Sequence, residues 1–340
     1  MFEFHKYPSI DNSYRNKTVQ QVQLHGFDKG EWVVLLKVHG ANFSLWSDGE
    51  KVVPAKRSSF INDTENFCNC TGVVDELKDN VLNLTNHLKD KYGCEVVTVY
   101  GELAGGDYPH PDVEKYPNAK KVQKGVFYAP FNFFYMFDIV VDGKFINHDE
   151  VVDLGHEFGI IVAEPLLRGS FDECLKYSNM FEDPLHFMFG LPSIENVDNV
   201  CEGVVLKPVE SCFFGNGCRC ILKNKNEKFS EKQKVKKTKK QGIKLSDEAK
   251  RLYEEACTYV TENRLKNVVS HGLDLSNEKK AFGVIMKEMN KDVFDDFLKD
   301  CGDDFRKLDP SEQKKISKTL NKNVANLVRP HFRNILDGEF

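Results

Sequence analysis

The feature that most constrains this chain is a break in its hydrophobic rhythm near residue 230. Upstream, short apolar runs are punctuated by turn signals; downstream, apolar residues recur every three or four positions. A period near two belongs to strands and a period near 3.6 to helices, so one chain carries two architectures. Its 340 residues leave room for two cores. The stretch 228–244 is Lys-rich and nearly devoid of apolar residues, which marks a connection rather than a packed element. We therefore expect one domain over 1–230, a basic linker over 231–244 and a helical domain over 245–340.

Within the first part, Glu31 to Val38 is an apolar run containing Lys37 near its end. Phe43 to Trp46 alternates and then meets Asp48-Gly49, a hairpin signal, with Lys51 to Arg57 returning. Phe133 to Val141 is closed by a second such signal, Asp142-Gly143. Glu95–Tyr100, Cys201–Lys207 and Cys218–Lys225 complete an expected antiparallel set. One amphipathic helix is predicted over Asp75–Tyr92, with Leu77, Val81, Leu84 and Leu88 on one face. In the second part, Ser246 is an N-cap followed by Asp247 and Glu248, and Asp309-Pro310 is another. Leu252, Ala256 and Tyr259/Val260 form one apolar stripe, Ile316, Leu320, Val324 and Leu327 a second. No internal repeat is visible.

Composition excludes several classes. Hydrophobic residues at 41% and charged residues at 29% are ordinary for a globular chain. No run of about 18 apolar residues exists, so no membrane partner is expected. The opening Met1–His5 has neither signal-peptide nor transit-segment character, so a cytoplasmic protein is expected. The close cysteine pairs, Cys68/Cys70 and Cys218/Cys220, have C-x-C spacing rather than the zinc-wrapping C-x-x-C. On a strand such a pair shares one face, and reduced thiols are expected rather than zinc or disulfides. Net charge is −5, which by itself disfavours a nucleic-acid partner. Its distribution does not: Arg219 to Lys244 holds eleven Lys and Arg against two Glu, a local +9 that leaves −14 elsewhere. Such a stripe is either a solvated linker or an electrostatic site for polyphosphate. Its Lys232–Lys240 part also has the form of a nuclear import signal, the alternative to a cytoplasmic location.

Five segments carry residues suited to nucleotide chemistry. Lys37-Val38-His39-Gly40-Ala41-Asn42 ends a buried strand, where apolar neighbours disfavour a charged amine and favour a nucleophile. Gly40 lets backbone approach a ligand. Tyr100-Gly101-Glu102-Leu103-Ala104-Gly105 offers a carboxylate at a strand end. Phe133 to Asp138 is aromatic enough to supply a stacking ring. Glu202-Gly203-Val204-Val205-Leu206-Lys207-Pro208 places a carboxylate and a lysine five residues apart, on opposite faces of a strand. Lys223 and Lys225 share a strand face, where two like charges repel unless an anion lies between them. Each segment alone is more often structural than catalytic.

In this order over about 190 residues, the five strings resemble the covalent nucleotidyltransferases: RNA ligases, DNA ligases and mRNA capping enzymes. His39, where DNA ligases and capping enzymes have Asp, and the strings F-Y-x-F-D and K-N-x-K-F-S-E make the chain similar to the RNA ligase 2 family. That family includes phage enzymes and trypanosome RNA-editing ligases. The resemblance spans nearly the whole chain, from Tyr7-Pro8-Ser9 to Val328-Arg329-Pro330. It departs from the phage pattern at Leu35 and Leu36, where those enzymes carry charge, and in a longer loop at Gly105–Val126.

The resemblance implies an α+β fold: an antiparallel-sheet, ATP-grasp-like nucleotidyltransferase domain followed by a small all-helical C-terminal domain. It implies an ATP-dependent RNA ligase with Mg2+ or Mn2+ as cofactor, acting as a monomer on RNA 3′-OH and 5′-phosphate ends, in nicked duplex, in RNA repair or editing. Lys37 becomes AMP-linked and His39 acts in moving AMP to the RNA. Val38, Asn42, Arg57 and Glu102 hold nucleotide, Phe137 stacks on adenine, and Glu202 binds the metal. Lys207, Lys223 and Lys225 neutralise phosphates. Tyr7, Lys56, Asp149 and Arg168 serve the RNA. Competing readings are a DNA ligase, an mRNA guanylyltransferase or a non-catalytic RNA-binding relative. The absence of strand-like periodicity after Ser246 disfavours the first two, whose second domain is a β-barrel.

Overall fold

The computed structural model describes residues 2–62, 65, 67–230, 245–270, 272–338 and 340. The expected linker 231–244, with its import-like segment, lies outside them. By its internal contacts the chain divides into Met1–Asn226 and Glu227–Phe340.

The first unit is mixed. In chain order its elements are β1 (Asp11–Asn12), α1 (Asn16–Leu24), β2 (Trp32–Leu36), β3 (Ala41–Ser47), β4 (Val52–Lys56), β5 (Ser59–Phe60), α2 (Cys70–Tyr92), β6 (Val97–Gly105), β7 (Asn132–Val141) and β8 (Lys144–Phe145). Then follow α3 (His148–Glu157), β9 (Pro165–Gly169), α4 (Phe171–Leu175), α5 (Leu185–Met188), β10 (Gly203–Pro208) and β11 (Leu222–Lys225). Two sheets result, ordered β1-β11-β10-β2-β9 and β5-β4-β3-β6-β7-β8. Every ladder but β1–β11 is antiparallel.

Turn chemistry sets the register of the second sheet. At Asp142-Gly143 both residues take positive φ, 43° and 79°, the conformation that matches strand twist in a two-residue hairpin. At the other hairpin the Asp48 carboxylate accepts the amides of Glu50 and Lys51, both at 3.1 Å. One face of this sheet is covered by α2 and α3. Phe43, Leu45, Val97, Val99, Leu103, Phe134, Met136, Ile139 and Val141 meet Val81, Leu84, Leu88, Val151 and Leu154 there. The helix begins at Cys70, ahead of the expected Asp75, and Leu77 is only partly buried. Cys68 and Cys70 lie at a turn and a helix start rather than on a strand, because Cys68 and Asn69 both adopt left-handed backbone.

The first sheet buries Trp32, Val34, Val204, Leu206 and Leu222 against Val22 of α1 and Phe171 and Cys174 of α4. Lys207 alternates to the opposite face, toward β7 of the second sheet. The chain crosses between sheets at residues 37–40, between β2 and β3.

The second unit contains α6 (Asp247–Cys257), α7 (Glu262–Ser270), α8 (Glu278–Lys307) and α9 (Pro310–Leu336). Ser246 caps α6 by accepting the Ala249 amide at 3.2 Å, and Asp309 caps α9 by accepting that of Ser311 at 2.8 Å with Pro310 following. Ile285, Met289, Val293 and Phe297 of α8 pack with Ile316, Leu320, Val324 and Val328 of α9. The predicted stripe ends one residue early: the four-residue step carries it to Val328, and Leu327 is only partly buried. Arg264 is also buried here, its guanidinium on Asp292 and on Asp296 at 2.9 Å, one helical turn apart on α8. No helix among the described residues is long and apolar enough to cross a membrane.

Candidate active site

Three adjacent strands of the first sheet bring their ends to one point. β2 stops at Leu36, and the Lys37 amide donates to the Gly203 carbonyl at 3.0 Å. Glu202, just before β10, is thereby beside Lys37, and Lys225 at the end of β11 is in register with Gly203. The close strand approach requires glycine at 203. Its φ is +147°, and a Cβ there would meet the Asn224 carbonyl oxygen at 2.2 Å.

A buried carboxylate therefore lies between two ammonium groups. Lys37 Nζ is 2.6 Å from Glu202 Oε2 and Lys225 Nζ is 3.0 Å from Oε1, with His39 Nδ1 at 3.9 Å from Oε2. Burial alone would raise the Glu202 carboxyl. Lys37 first, then Lys225 and His39, outweigh burial and hold it down at about 2. Leu35, Leu36 and Val38 are buried as expected, but the amine of Lys37 itself meets a carboxylate 165 residues away in sequence. A local window contains only the apolar neighbours.

The second sheet supplies the facing wall. The Gly40 amide donates to Glu102 Oε1 at 3.1 Å, and Asn42 pairs across the ladder with Glu102. The His39 amide donates to the Tyr128 hydroxyl at 2.8 Å. Packing by itself requires glycine at 40: a Cβ there would meet the Leu103 carbonyl oxygen at 2.3 Å and Glu102 Cγ at 3.0 Å. Desolvation pushes the Glu102 carboxyl up to about 7; Lys37, the Gly40 amide and Arg57 offset part of this, and Glu202 adds to it. Two neighbouring carboxylates are thus driven in opposite directions, an arrangement characteristic of reactive sites.

The aromatic strand delivers one ring because of a bulge. Tyr100 pairs with Asp138 and Gly101 with Met136, so Phe137 is an extra residue in β7. Phe133, Phe134, Tyr135 and Met136 are buried, whereas Phe137 is half-buried, edge-on to Tyr7 with ring centroids 5.1 Å apart. The next residue, Asp138, anchors a second ion cluster. It accepts from the Tyr7 hydroxyl at 2.6 Å, from Lys207 Nζ at 2.5 Å and from both Arg219 amino nitrogens, and Lys207 also donates to the Phe137 carbonyl at 3.1 Å. Asp138 would be raised by burial, but Arg219 and Lys207 hold it well below the carboxylate range. Burial brings Lys207 down to about 8 despite Asp138.

The expected residues thus fall into groups. Lys37, His39, Glu202 and Lys225 meet, with Glu102, Asn42 and Val38 on adjoining backbone and Arg57 acting electrostatically on Glu102. Tyr7, Phe137 and Lys207 form the second cluster. Lys223 lies opposite Val205 in the β10–β11 ladder. Lys56 pairs with Glu65. Arg168 pairs with Asp149 at 2.6 and 2.7 Å and with Glu31 at 3.2 Å, on exposed surface. Sequence reasoning did not single out Asp138, Arg219 or Tyr128. Asp138 closes the aromatic string and was within reach; Arg219 and Tyr128 carry no local signal.

The RNA ligase family model matches residues 30–225, more than half of the chain, and that of the T4 RNA ligase 2 C-terminal domain matches residues 243–326. The chain is 33% identical over 238 residues to mitochondrial RNA-editing ligase 1 of Trypanosoma brucei brucei, covering 61% of this chain and 50% of that protein. It is 29% identical over 350 residues to mitochondrial RNA-editing ligase 2 of the same organism, covering 87% and 83%. The chain therefore spans half the length of the first relative. Among solved structures it is similar to an RNA ligase of Naegleria gruberi, at 12% identity and a TM-score of 0.45, covering 66% of this chain and 57% of that one. A variant of that enzyme with ATP and Mn gives 11% and 0.44. The chain belongs to the RNA ligase family, in its RNA ligase 2 branch.

Proposed function

We propose that the protein is an ATP-dependent RNA ligase that joins 3′-OH and 5′-phosphate ends of nicked duplex RNA through Lys37. One observation carries the reading: the Lys37 amine lies on a buried carboxylate, Glu202, whose other oxygen is held by Lys225. An amine so placed has a fixed direction, and its partner can be drawn away when phosphates and a cation arrive. The Glu202 carboxylate is the group that would hold a divalent cation, with Glu102 near it. Among the described residues no three His, Cys, Asp or Glu side chains converge on one point. One or two carboxylates completed by phosphates and water is the habit of Mg2+, our preferred ion. When bound, such a cation offsets phosphate charge.

The steps proposed are those the resemblance to RNA ligases implies. Lys37 Nζ attacks the α-phosphorus of ATP; an N–P bond forms, the bond to pyrophosphate breaks, and the amine loses a proton. Lys225 and Lys223 offset charge on the phosphates, Lys207 contributes only at a distance from the buried Asp138 cluster behind Phe137, and Phe137 presents its ring to adenine. Arg57 and Glu102 hold ribose and phosphate, with Val38 and Asn42 against the nucleotide. The RNA 5′-phosphate then attacks the AMP phosphorus with help from His39, breaking the N–P bond and restoring the amine. Last, the 3′-OH attacks the adenylated end, a phosphodiester forms and AMP leaves. Tyr7, Lys56, Asp149 and Arg168 serve RNA positioning. Residues 1–230 form the adenylyltransferase domain and 245–340 a helical domain that works with it, in a monomer. We assign RNA repair or editing as the context and the cytoplasm as the location; the editing relatives are mitochondrial.

The test is covalent labelling with α-phosphate-labelled ATP or GTP in Mg2+, using wild type and Lys37→Ala. Label from ATP that vanishes in the variant, followed by sealing of nicked RNA over nicked DNA, is the expected outcome. Label from GTP alone would move the protein to capping, and preference for nicked DNA to the DNA ligases. Folded protein with no label from either would sink the enzymatic reading.

A further inference from the structure

The crossing from β2 to β3 carries both Lys37 and His39, and it belongs to neither sheet. The Lys37 amide still reaches the first sheet through Gly203. Beyond it, the amides of His39 and Gly40 have left one ladder without yet joining the other. Two side chains catch them: Glu102 takes Gly40 at 3.1 Å, and the Tyr128 hydroxyl takes His39 at 2.8 Å.

Tyr128 is fully buried and is itself held from behind. The Asn199 side chain grips both backbone groups of Phe127, accepting its amide at 2.8 Å and donating to its carbonyl at 2.9 Å. The Asn199 carbonyl accepts the Asp183 amide at 2.9 Å. Asp183 is buried in turn, with one carboxylate oxygen on the Leu185 amide at 3.0 Å and no hydrogen-bond partner on the other among the described residues. A buried asparagine that pins the residue beside a buried tyrosine fixes where the phenol oxygen lies. That oxygen then fixes the backbone of His39, whose imidazole is 3.9 Å from Glu202.

Resting on the ligase reading, we propose that Tyr128 is a positioning residue of the reaction. By accepting the His39 amide, it holds the imidazole where AMP transfer to the RNA 5′-phosphate requires it. Tyr128 does not touch the reacting atoms. Its effect passes through His39, so the two residues should not act independently.

The experiment uses the full chain and separates the steps. Wild type, Tyr128→Phe, His39→Ala and the double variant are first labelled with ATP. Pre-adenylylated enzyme is then mixed with nicked RNA in single turnover over a range of RNA concentrations. We expect Tyr128→Phe to form lysyl-AMP within about threefold of wild type, and to slow AMP transfer by about 10- to 100-fold at saturating RNA, the scale expected of a small misplacement. Half-saturating RNA should stay unchanged, and the double variant should be no slower than His39→Ala alone. A purely structural role would lower both steps and add to the His39 effect; either result, or wild-type transfer by Tyr128→Phe, overturns the proposal. If Tyr128→Phe does not fold, 4-aminophenylalanine placed at 128 keeps the shape but accepts hydrogen bonds poorly, and it makes the same test. Wild type that forms no lysyl-AMP would overturn the ligase reading itself, and this proposal with it.

Discussion

Two buried carboxylates organise the first unit, and they are built alike but finished differently. Asp138 and Glu202 are each clasped by two cationic side chains, and each is held below its ordinary range by them. Around Asp138 the cluster is closed: Lys207 and Arg219 are as buried as the acid, and the Tyr7 hydroxyl completes its shell. Around Glu202 the cluster is open on one side, with side-chain exposure of 19% at Lys37 and 25% at His39. A closed cluster resists any change of partner, because each charge left behind has no water to turn to. An open one can exchange a lysine for a phosphate or a cation. The first sets the floor beneath Phe137; the second is where chemistry can happen.

The largest effect should come from breaking the closed cluster. Asp138→Asn leaves Lys207 and Arg219 buried without a carboxylate, and should lower stability by about 3–5 kcal/mol in urea unfolding. Glu202→Gln should lose less, about 1–2 kcal/mol, since its partners can turn to water. Its loss of lysyl-AMP formation should exceed about 100-fold. Equal stability losses in the two variants would erase the distinction between closed and open clusters.

Acid and neutral pH sharpen the comparison next. Glu202 is lowered, so it contributes stability present above the unfolded value near 4.5 and lost as pH falls toward about 2. Glu102 is raised to about 7, so the folded state holds a proton there that the unfolded chain releases from about 4.5 upward. Stability should therefore fall as pH rises between those values, and Glu102→Gln should remove about 1–3 kcal/mol of that fall. Denaturation series at pH 5 and pH 8 measure it; a wild type whose stability is flat across that window, or matches the variant, would refute the desolvated Glu102.

The same contrast explains what the sequence disclosed. Elements whose cause is local were readable: the Asp142-Gly143 turn, the caps at Ser246 and Asp309, and the four-residue steps of the helical unit. The members of the group around Glu202 could be named, because Lys37, His39, Glu202 and Lys225 each lie in a recognisable string, but their meeting across 165 residues could not. The closed cluster was hidden. Arg219 reaches Asp138 across 81 residues from a Gly-Cys loop with no periodicity, and Tyr128 sits in irregular chain before β7. The bulge that singles out Phe137 depends on the pairing of two strands, which no single strand reveals. The pairing of Lys207 with Asp138 was hidden too, because opposite-face alternation names a face but not what covers it.

The smallest expected effect lies at the exposed end of the scale. Arg168 meets Asp149 in a two-point contact and Glu31 at 3.2 Å, yet its side chain is 41% exposed and Asp149's is 53%. Water and salt screen such a pair, so Arg168→Ala should change stability by less than about 1 kcal/mol, and by less still at high salt. If Arg168 positions RNA, sealing by the variant should weaken while lysyl-AMP formation from ATP stays intact. Replacing Asp149 instead should leave the guanidinium on Glu31 alone and more able to meet phosphate, and so should weaken sealing less than removing the arginine does. Equal losses in the two variants would show that the pair acts as a unit. A stability loss as large as that of Asp138→Asn would mean that burial, the property separating the two clusters, does not decide what an ion pair contributes here.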